Sequence, residues 1–413
     1  MLFVYRVLLN LIIIISPLII LIRIIKDKED KKRFKEKLCF FSLRRKKGKL
    51  IWFHGSSVGE IVSITPLVEK LENDPSIETI LITSSTLSSS KILDKFNFKK
   101  VVHQFFPIDT SFLTKRFLDY WKPSLAVFIE SEIWPNMMIN IKKKSIPLIL
   151  LNARITKKSF KRWKKISFSS ELFKIFSVCL PQNFETQKYL YSLGVKKIKM
   201  LGNLKFSEPA LNNKNEFKKN LKKYFNKKKI WCASSTHNTE ETICALTHQK
   251  LKLKYKNLLT IIIPRHIQRI HEIKKQFKNM DINFHLHSSK KKIESNTEIY
   301  LVDTYGETKK FFKVCKTVFL GGSIIKHGGQ NPLEAARYGC EVIHGPNISN
   351  FTEIYKLLQK INLSTKIKNT TQLIKKVDLS LIKKNNSSKK INKLKKIGST
   401  ILRKNFNEIK NYI

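Results

Sequence analysis

Short runs of apolar residues recur along the chain, and each is followed by small or polar residues that lead into a helical pattern. In the first half, these runs cover residues 49–54, 79–83, 125–129 and 147–151. In the second half, they cover residues 230–233, 258–263, 298–302 and 317–320. Buried strands that alternate with helices are typical of parallel βαβ units. The pattern therefore predicts an α/β protein with two Rossmann-like domains that face one another across a cleft.

Changes of composition divide the chain further. Residues 212–229 are mostly polar and charged, which is typical of a connection between domains. The tail after residue 381 is rich in Lys and Asn, and its composition is too biased for its structure to be assigned. The predicted segments are a membrane anchor at 1–27, a first domain at 28–211, a linker at 212–229, a second domain at 230–381 and a Lys-rich tail at 382–413.

The N-terminus has a pattern of its own. Residues 7–25 are nearly all Leu, Ile and Val, and about 19 residues at about 1.5 Å each are just long enough to cross a hydrocarbon core. A cleaved signal peptide is the alternative, but basic residues and not a small-x-small site follow the run. Only Arg6 precedes the run as a basic side chain, so the positive-inside rule places the bulk of the chain in the cytoplasm. We expect an uncleaved anchor or an interfacial helix.

Composition and charge exclude some classes of function. The chain has 413 residues, 42% of them hydrophobic and 10% aromatic, which is enough for two domains with their own cores. Its formal net charge of +49 comes mostly from Lys spread over the whole length, which favours attraction to anionic lipid over a nucleic-acid groove. The six cysteines form no CxxC pair and have no His partner at zinc spacing. We therefore expect a reducing compartment and a protein without metal.

A glycine-rich segment carries the clearest local signal. The apolar run at 317–320 passes through four glycines into a predicted helix start. Asn331 suits the N-cap, Pro332 the first helical position and Glu334 the acidic position of a capping box. We expect this loop to present free backbone N–H groups to a phosphate or a sugar. The alternative is a glycine-rich turn that binds nothing.

Charged residues follow several of the predicted strands. Glu60 opens a helix directly after a glycine and is a candidate general base, although a first-turn acid that complements the helix dipole is the alternative. Glu130 and Glu132 alternate at a strand end, so we expect one to face the cleft and the other to turn away. Lys205 and Arg265 each follow an apolar segment and are candidates for holding anionic groups. For the scattered histidines, structural hydrogen bonding is favoured over metal ligation.

Eight motifs occur in an order that one family shares: WFHGSSVGE, FIESEIWPN, LNARIT, LGNLKF, ASSTHNTEE, PRH, DTYGE and GGQNPLE. In this ordered set the chain resembles the 3-deoxy-D-manno-octulosonic acid (Kdo) transferases of lipopolysaccharide biosynthesis, which are membrane-anchored, inverting glycosyltransferases of the GT-B type. The resemblance implies Glu60 as catalytic base, Glu130 as a residue that supports the transition state, and Lys205 as an electrostatic partner.

The resemblance also implies what the protein binds. The donor would be CMP-Kdo and the acceptor a lipid A precursor (lipid IVA), with no metal ion and no cofactor. The reaction would take place at the cytoplasmic side of the inner membrane, on an anionic surface, and no nucleic acid is expected as a partner. The residues implied in CMP binding are Pro264, Arg265, Tyr305, Gly306, Glu307, Asn331, Pro332, Leu333 and Glu334.

Two alternative functions remain at this point. Another membrane-associated GT-B glycosyltransferase with a different nucleotide sugar would keep the fold but change the base that is recognised. A non-catalytic basic protein that binds membranes or nucleic acid would explain the charge and the anchor, but it gives no reason for carboxylates and glycines at successive strand ends.

Overall fold

The computed structural model describes residues 1–208, 216–383 and 387–413. The chain forms two compact units. The first combines Met1–Pro209 with Ile397–Ile413, and the second is Ala210–Lys396. The predicted domain boundary at residue 211 and the start of the predicted linker, 212–215, lie outside the described residues.

The first unit is built around one parallel sheet. Its strands are β1 (Leu50–His54), β2 (Thr79–Ser84), β3 (Val101–Phe105), β4 (Leu125–Ile129), β5 (Leu148–Ala153) and β6 (Val178–Pro181). Within the described residues their order is β3-β2-β1-β4-β5-β6. The helices are α1 (Leu2–Ile25), α2 (Val58–Glu72), α3 (Leu87–Leu93), α4 (Ser111–Trp121), α5 (Pro135–Lys143), α6 (Lys157–Lys164), α7 (Ser169–Phe173) and α8 (Phe184–Ser192), with 3₁₀ turns at Phe34–Leu38 and Leu204–Phe206.

The sheet of the first unit is covered on both faces, which explains why its central strands are continuous apolar runs. Every residue of β1 is buried. The ring of Trp52 on this strand lies 4.9 Å from that of Phe117 and 5.3 Å from that of Phe128, and its Nε1 donates to Thr83 Oγ1 at 2.9 Å. Truncating a buried aromatic side chain of this kind costs about 3–5 kcal/mol. The packing of β1 therefore fixes the loop that follows it.

Helix α1 is long and apolar enough to cross a membrane. Pro17 lies inside it and lacks the N–H that would bond to the carbonyl of Ile13. Ser16 Oγ donates to that carbonyl at 2.7 Å, so the helix continues through Pro17 with the freed acceptor satisfied.

The second unit is also built around one parallel sheet. Its strands are β7 (Lys229–Thr236), β8 (Leu258–Pro264), β9 (Phe284–Leu286), β10 (Ile299–Leu301), β11 (Thr317–Leu320), β12 (Glu341–His344) and β13 (Ser364–Lys366). Over the described part of the chain their order is β13-β12-β11-β7-β8-β10-β9. The helices are α9 (Lys219–Asn226), α10 (Glu240–Lys252), α11 (Ile270–Asn279), α12 (Thr308–Val314), α13 (Leu333–Ala336), α14 (Thr352–Lys360) and α15 (Thr370–Ile382), with a 3₁₀ turn at Ile267–Arg269. Trp231 and Cys232 on β7 belong to different core clusters, so both faces of this sheet are packed.

The C-terminal segment differs from the separate Lys-rich tail expected from its composition. It contains helix α16 (Ser387–Lys410), and Ile397–Ile413 belongs to the first unit. Ile401 and Ile409 are buried on this helix. Its apolar residues recur at helical spacing, and the burial of that stripe outweighs the bias of the composition.

Candidate active site

The loops after β1, β4 and β5 lie around a pocket of about 650 Å³ in the first unit. Because the carboxyl ends of parallel strands meet at the same edge of a sheet, residues that are distant in sequence come together there. The pocket contains Glu60, Glu130 and Lys205, the three residues expected in catalysis. Its lining residues are Ser57, Gly59, Glu60, Glu130, Ser131, Ile133, Arg154, Thr156, Ser159, Arg162, Trp163 and Lys205.

Glu60 lies in the first turn of α2, and its position is fixed by two serines. The N-cap residue Ser57 accepts from the Glu60 N–H at 3.3 Å and donates its hydroxyl to Glu60 Oε1 at 2.9 Å. The other carboxylate oxygen accepts from the N–H of Ser56 at 2.7 Å. This reciprocal arrangement is close to a capping box. The capping interpretation of Glu60 is therefore confirmed, and it is compatible with a role as base.

The pKa of Glu60 is raised from its ordinary value to about 7. Burial is the main cause, and the negative charges of Glu132 and Glu130 add to it. The hydrogen bonds from Ser57 and Ser56 stabilise the ionised form and oppose the shift only in part. A carboxylate with a pKa near neutrality is suited to accept a proton from a hydroxyl group.

Glu130 directly follows β4, is buried and has a φ of 55°, which is a strained conformation for a residue other than glycine. Its Oε1 lies 2.6 Å from Lys205 Nζ. Two asparagines hold the turn that carries Lys205. Asn203 Oδ1 accepts from the Lys205 N–H at 2.9 Å, and Asn152 Oδ1 accepts from the Leu204 N–H at 3.1 Å. Segments distant in sequence therefore fix this ion pair.

Glu132 has a different environment from Glu130. Its Oε2 lies 3.0 Å from His54 Nε2 and accepts from Ser56 Oγ and Trp134 Nε1, both at 2.7 Å. Burial acts to raise the pKa of Glu132, but these partners outweigh it and hold the pKa below its ordinary value. Glu132 is therefore ionised at neutral pH, and its charge helps to raise the pKa of Glu60. The sequence had suggested that one of Glu130 and Glu132 faces the cleft and the other turns away, and Glu130 but not Glu132 lines the pocket.

Basic side chains line the same pocket. Arg154 directly follows β5, and Arg162 lies on α6, where Thr156 Oγ1 caps the first turn by accepting from the Ser159 N–H at 3.2 Å. No role was predicted for these two arginines from the sequence. The sequence does contain a signal for Arg154, because it is an arginine at the end of a predicted strand in a chain whose basic residues are mostly Lys. With Lys205, the arginines form a cationic lining that fits an anionic group near the carboxylates.

In the second unit, five of the residues implied in donor binding lie after two neighbouring strands, β8 and β10. Pro264 ends β8, and Arg265 follows it with an exposed side chain. Tyr305 and Gly306 lie in the loop after β10, which pairs with β8. Gly306 has a φ of 84°, a conformation that glycine adopts without strain. The Tyr305 side chain is 62% exposed and accepts from Gln268 Nε2 at 3.3 Å.

Glu307 is held by protein groups. Its Oε2 lies 2.5 Å from His287 Nε2 and accepts from Thr304 Oγ1 at 2.9 Å, and its other oxygen pairs with Lys310. Burial acts to raise the pKa of Glu307, but the bonds from Lys310 and Thr304 and the charge of His287 lower it below its ordinary value. Glu307 is therefore an ionised carboxylate with a fixed orientation.

The prediction that the glycine-rich loop presents free backbone N–H groups is wrong for its first residues. The buried carboxylate of Glu240 occupies them: it accepts from Gly322 at 2.7 Å, Ser323 at 3.1 Å and Ile324 at 3.0 Å. It also accepts from the N–H of His237 at 3.0 Å. Four charge-assisted bonds to one carboxylate join the loop after β11 to the end of β7. An internal anion fills the place that the sequence had suggested for a ligand.

The helix that begins near Asn331 also differs from the prediction. Asn331 Oδ1 accepts from the Leu333 N–H at 3.1 Å, as a capping side chain would. The helix α13, however, has only four residues, and Pro332 and not Asn331 occupies its N-cap position. Glu334 is exposed on it. The helix start predicted from the sequence is therefore displaced by one residue, within the usual uncertainty of helix ends.

A cluster of histidines lies beside these loops in the second unit. The ring of His237 lies 4.4 Å from that of His327 and 5.6 Å from that of His266. The pKa of His237 is lowered to about 4, mainly by burial and additionally by repulsion from the neighbouring His327, His266 and Arg265. Among the described residues, the buried His237 Nε2 has no hydrogen-bond partner. The sequence predicted structural hydrogen bonds for this histidine, and its Nε2 forms none within the described residues.

Comparison with known proteins identifies the family. A family model described as "3-Deoxy-D-manno-octulosonic-acid transferase (kdotransferase)" matches residues 32–208. A 3-deoxy-D-manno-octulosonic acid transferase from Rickettsia bellii is 35% identical over 370 residues, which cover 89% of this chain and 88% of that protein. The chain belongs to the Kdo transferase family. The Kdo transferase of Haemophilus influenzae is 30% identical over 364 residues, which cover 86% of this chain and 83% of that protein.

Solved structures show the fold of this Kdo transferase. A putative UDP-N-acetylglucosamine 2-epimerase from Listeria monocytogenes matches with a TM-score of 0.59 and 12% identity, over 86% of this chain and 95% of that chain. The UDP-GlcNAc 2-epimerase of Methanocaldococcus jannaschii matches with a TM-score of 0.56 and 16% identity, over 82% of this chain and 94% of that chain. The predicted GT-B-type fold, with two Rossmann-like domains, is confirmed.

Family membership settles the class of reaction of this Kdo transferase. It is a glycosyltransferase that transfers Kdo in lipopolysaccharide biosynthesis, as the sequence motifs had indicated. In the described part of the chain, no group of three or more His, Cys, Asp or Glu side chains is placed to hold a metal ion.

Proposed function

We propose that this Kdo transferase moves Kdo from CMP-Kdo to a hydroxyl group of a lipid A precursor such as lipid IVA, with Glu60 as general base. The observation that carries the proposal is the pocket in which Glu60, with a pKa of about 7, lies with the Glu130–Lys205 ion pair. A base of this strength is half ionised near pH 7, so it can accept a proton at the pH of the cytoplasm.

The proposed reaction is a single displacement with inversion. The acceptor O–H bond breaks and its proton moves to Glu60, while the acceptor oxygen forms a bond to the anomeric carbon of Kdo. The bond from that carbon to the phosphate oxygen breaks, and CMP leaves with the electron pair. The sugar carbon becomes oxocarbenium-like, and the carboxylates of Glu130 and Glu132 stabilise its developing positive charge. Lys205 holds Glu130 in place through their 2.6 Å ion pair.

The cationic lining of the pocket fits the acceptor. A lipid A precursor carries phosphate groups as well as hydroxyl groups, and Arg154, Arg162 and Lys205 lie around the same pocket as Glu60. Arginine binds phosphate through two parallel N–H bonds, which orient as well as attract. The arginines would hold the acceptor phosphate so that one hydroxyl group reaches the base.

For the donor, the family resemblance assigns CMP binding to the second unit. Arg265 has an exposed guanidinium at the end of β8, where it would hold the phosphate of CMP. Tyr305, Gly306 and Glu307 on the adjacent loop, and residues 331–334, would hold the rest of the nucleotide. No metal ion and no cofactor take part in the proposed reaction. The enzyme would work at the inner membrane, because its acceptor is a lipid, and on the cytoplasmic side, because basic residues follow α1.

The test is a reaction of purified protein with CMP-Kdo and a lipid A precursor, in which release of CMP and formation of the glycolipid are measured. Glu60→Gln should lose at least about a hundredfold in turnover, while Glu69→Gln, on an exposed position of the same helix, should retain full activity. Full activity of Glu60→Gln would remove that residue from the mechanism. Release of UDP from another sugar donor would favour a different glycosyltransferase, and binding without turnover that weakens with salt would favour a non-catalytic protein.

A further inference from the structure

Helix α1 contacts the first unit along one face. Residues of this face recur every three or four positions and are buried or half-buried, whereas those between them, apart from Arg6 and Arg23, are exposed. Ile13 packs against the core cluster of the unit, and Ser16 and Ile20 are buried. The inner face consists of Tyr5, Leu9, Ile13, Ser16, Ile20 and Ile24. The helix therefore lies against the folded unit over its length.

Polar contacts hold the N-terminal end of α1 to the unit. Tyr5 OH donates to Asp109 Oδ2 at 2.7 Å, and Arg6 Nε donates to Asn136 Oδ1 at 3.0 Å. Asp109 is buried and also accepts from the N–H groups of Asn136 at 3.0 Å and Met137 at 2.7 Å. These contacts join the first turn of α1 to the start of α5.

The C-terminal end of α1 is held in the same way. Arg23 Nε lies 2.9 Å from Glu29 Oε2, and Lys37 Nζ lies 2.6 Å from the same oxygen. The main-chain oxygen of Lys37 accepts from the N–H of Ile108, just after β3. Both ends of α1 are therefore fixed to one folded unit.

A helix held at both ends cannot cross a bilayer unless the surface beneath it enters the hydrocarbon too. That surface contains buried carboxylates of Asp109 and Glu29 and their hydrogen-bond partners. Irregular backbone and charged groups are not stable next to lipid chains. The alternative is to break the contacts at one end, which would leave Asp109 without its Tyr5 partner.

The outer face of α1 is exposed and, apart from Asn10, apolar. Phe3, Ile14 and Ile25 are 77%, 75% and 72% exposed, and Phe112, near the site where Tyr5 docks, is 69% exposed. The helix is followed directly by exposed lysines at 26, 28, 31 and 32. An apolar face beside a cluster of cations complements an anionic bilayer surface, with acyl chains next to headgroup phosphates.

We propose that α1 is an in-plane membrane helix, whose inner face binds the first unit and whose outer face lies in the acyl region of one anionic leaflet. The N-terminus then stays on the same side of the membrane as the two units. This goes beyond the proposed reaction and does not depend on it.

Depth measurements test the proposal directly. Phe3, Ile14 and Ile25 are eleven residues apart, which is three helical turns, so they lie on one line along the outer face. Each is changed separately to Cys and spin-labelled in the full-length protein, in vesicles of phosphatidylethanolamine and phosphatidylglycerol. The six native cysteines are buried, so the unmodified protein serves as the unlabelled control. An in-plane helix gives the same shallow depth at all three positions. A deep label at 14 between shallow labels at 3 and 25 would overturn the proposal.

A second experiment measures the side of the membrane on which the N-terminus lies. A short cysteine-containing tag placed ahead of Met1 is exposed to a membrane-impermeant maleimide in intact spheroplasts and in inside-out vesicles. The reference is Ser192→Cys on the exposed surface of α8. Both sites should react only in inside-out vesicles. Reaction of the tag in intact spheroplasts, with Ser192→Cys unreactive, would show a spanning helix instead.

Discussion

Replacing Glu60 with glutamine should make the stability of the first unit, relative to wild type, higher at pH 8 than at pH 5, at the same time as it removes turnover. The pKa of this carboxyl is about 7 in the folded protein against an ordinary value of 4.5. Because the folded-state pKa is raised, the ionised side chain disfavours folding. The resulting loss in the free energy of unfolding is absent below pH 4.5, grows between pH 4.5 and 7, and is complete above pH 7.

The magnitude follows from the two pKa values. With 4.5 for the unfolded chain and about 7 for the folded one, the penalty is under about 1 kcal/mol at pH 5 and about 3 kcal/mol at pH 8. Glutamine carries no charge and so removes the penalty at both pH values. It also weakens the bonds from Ser56 and Ser57, but this loss of about 1 kcal/mol each does not vary with pH. The difference in stability between Glu60→Gln and wild type should therefore change by about 2 kcal/mol between pH 5 and pH 8.

The assay is urea unfolding followed by tryptophan fluorescence, because four of the five tryptophans belong to the first unit: Trp52, Trp121, Trp134 and Trp163. The matched control is Glu69→Gln on the exposed face of α2, whose stability relative to wild type should be the same at both pH values. If Glu60→Gln shows no more pH dependence than Glu69→Gln, then Glu60 is not a destabilised base and this account of the pocket is refuted.

Other residues give further expected outcomes. Lys205→Met should leave buried Glu130 without its ion-pair partner and so lower the free energy of unfolding by about 3 kcal/mol. Adding Glu130→Gln to this variant should restore the free energy of unfolding but not turnover. Recovery of turnover in the double variant would exclude both residues from catalysis. Glu240→Gln, which loses several of its four main-chain bonds, should destabilise the second unit by about 2 kcal/mol or more; an unchanged unfolding transition of the Trp231 signal would contradict this. Arg162→Ala should raise KM for the acceptor about tenfold with kcat retained, measured by initial rates, and an effect on kcat alone would argue against phosphate binding.

The central strands of both sheets, apart from β12, could be predicted from the sequence, whereas the edge strands could not. The run predicted at 125–129 coincides with β4 (Leu125–Ile129), because a strand buried on both faces is a continuous apolar run. The strands that were missed include all four edges, β3, β6, β9 and β13. Three of these edge strands, β3, β9 and β13, are only partly buried, so their apolar pattern is weaker. Strand β9, for example, has no fully buried residue. Strand β6 is fully buried but has only four residues.

In the candidate site, too, some features could be predicted from the sequence and others could not. Glu60, Glu130 and Lys205 were named from strand ends and family motifs, and the pocket brings them together. The bonds from Glu240 to the glycine loop could not be predicted, because they join residues more than 80 positions apart. The raised pKa of Glu60 could not be predicted either, because it depends on burial and on the charge of Glu132, which tertiary structure alone determines.

The first unit is formed by two separate stretches of the chain, and this affects when it can fold during synthesis. Domains near the N-terminus generally fold while the ribosome is still extending the chain. Here Ile397–Ile413 completes the first unit, and Ile401 and Ile409 fill buried positions in it. The whole second unit must therefore be translated before the candidate catalytic pocket of the first is finished. A nascent chain stalled at residue 396 should stay sensitive to protease in its first unit, because that unit is complete only once residues 397–413 have been made.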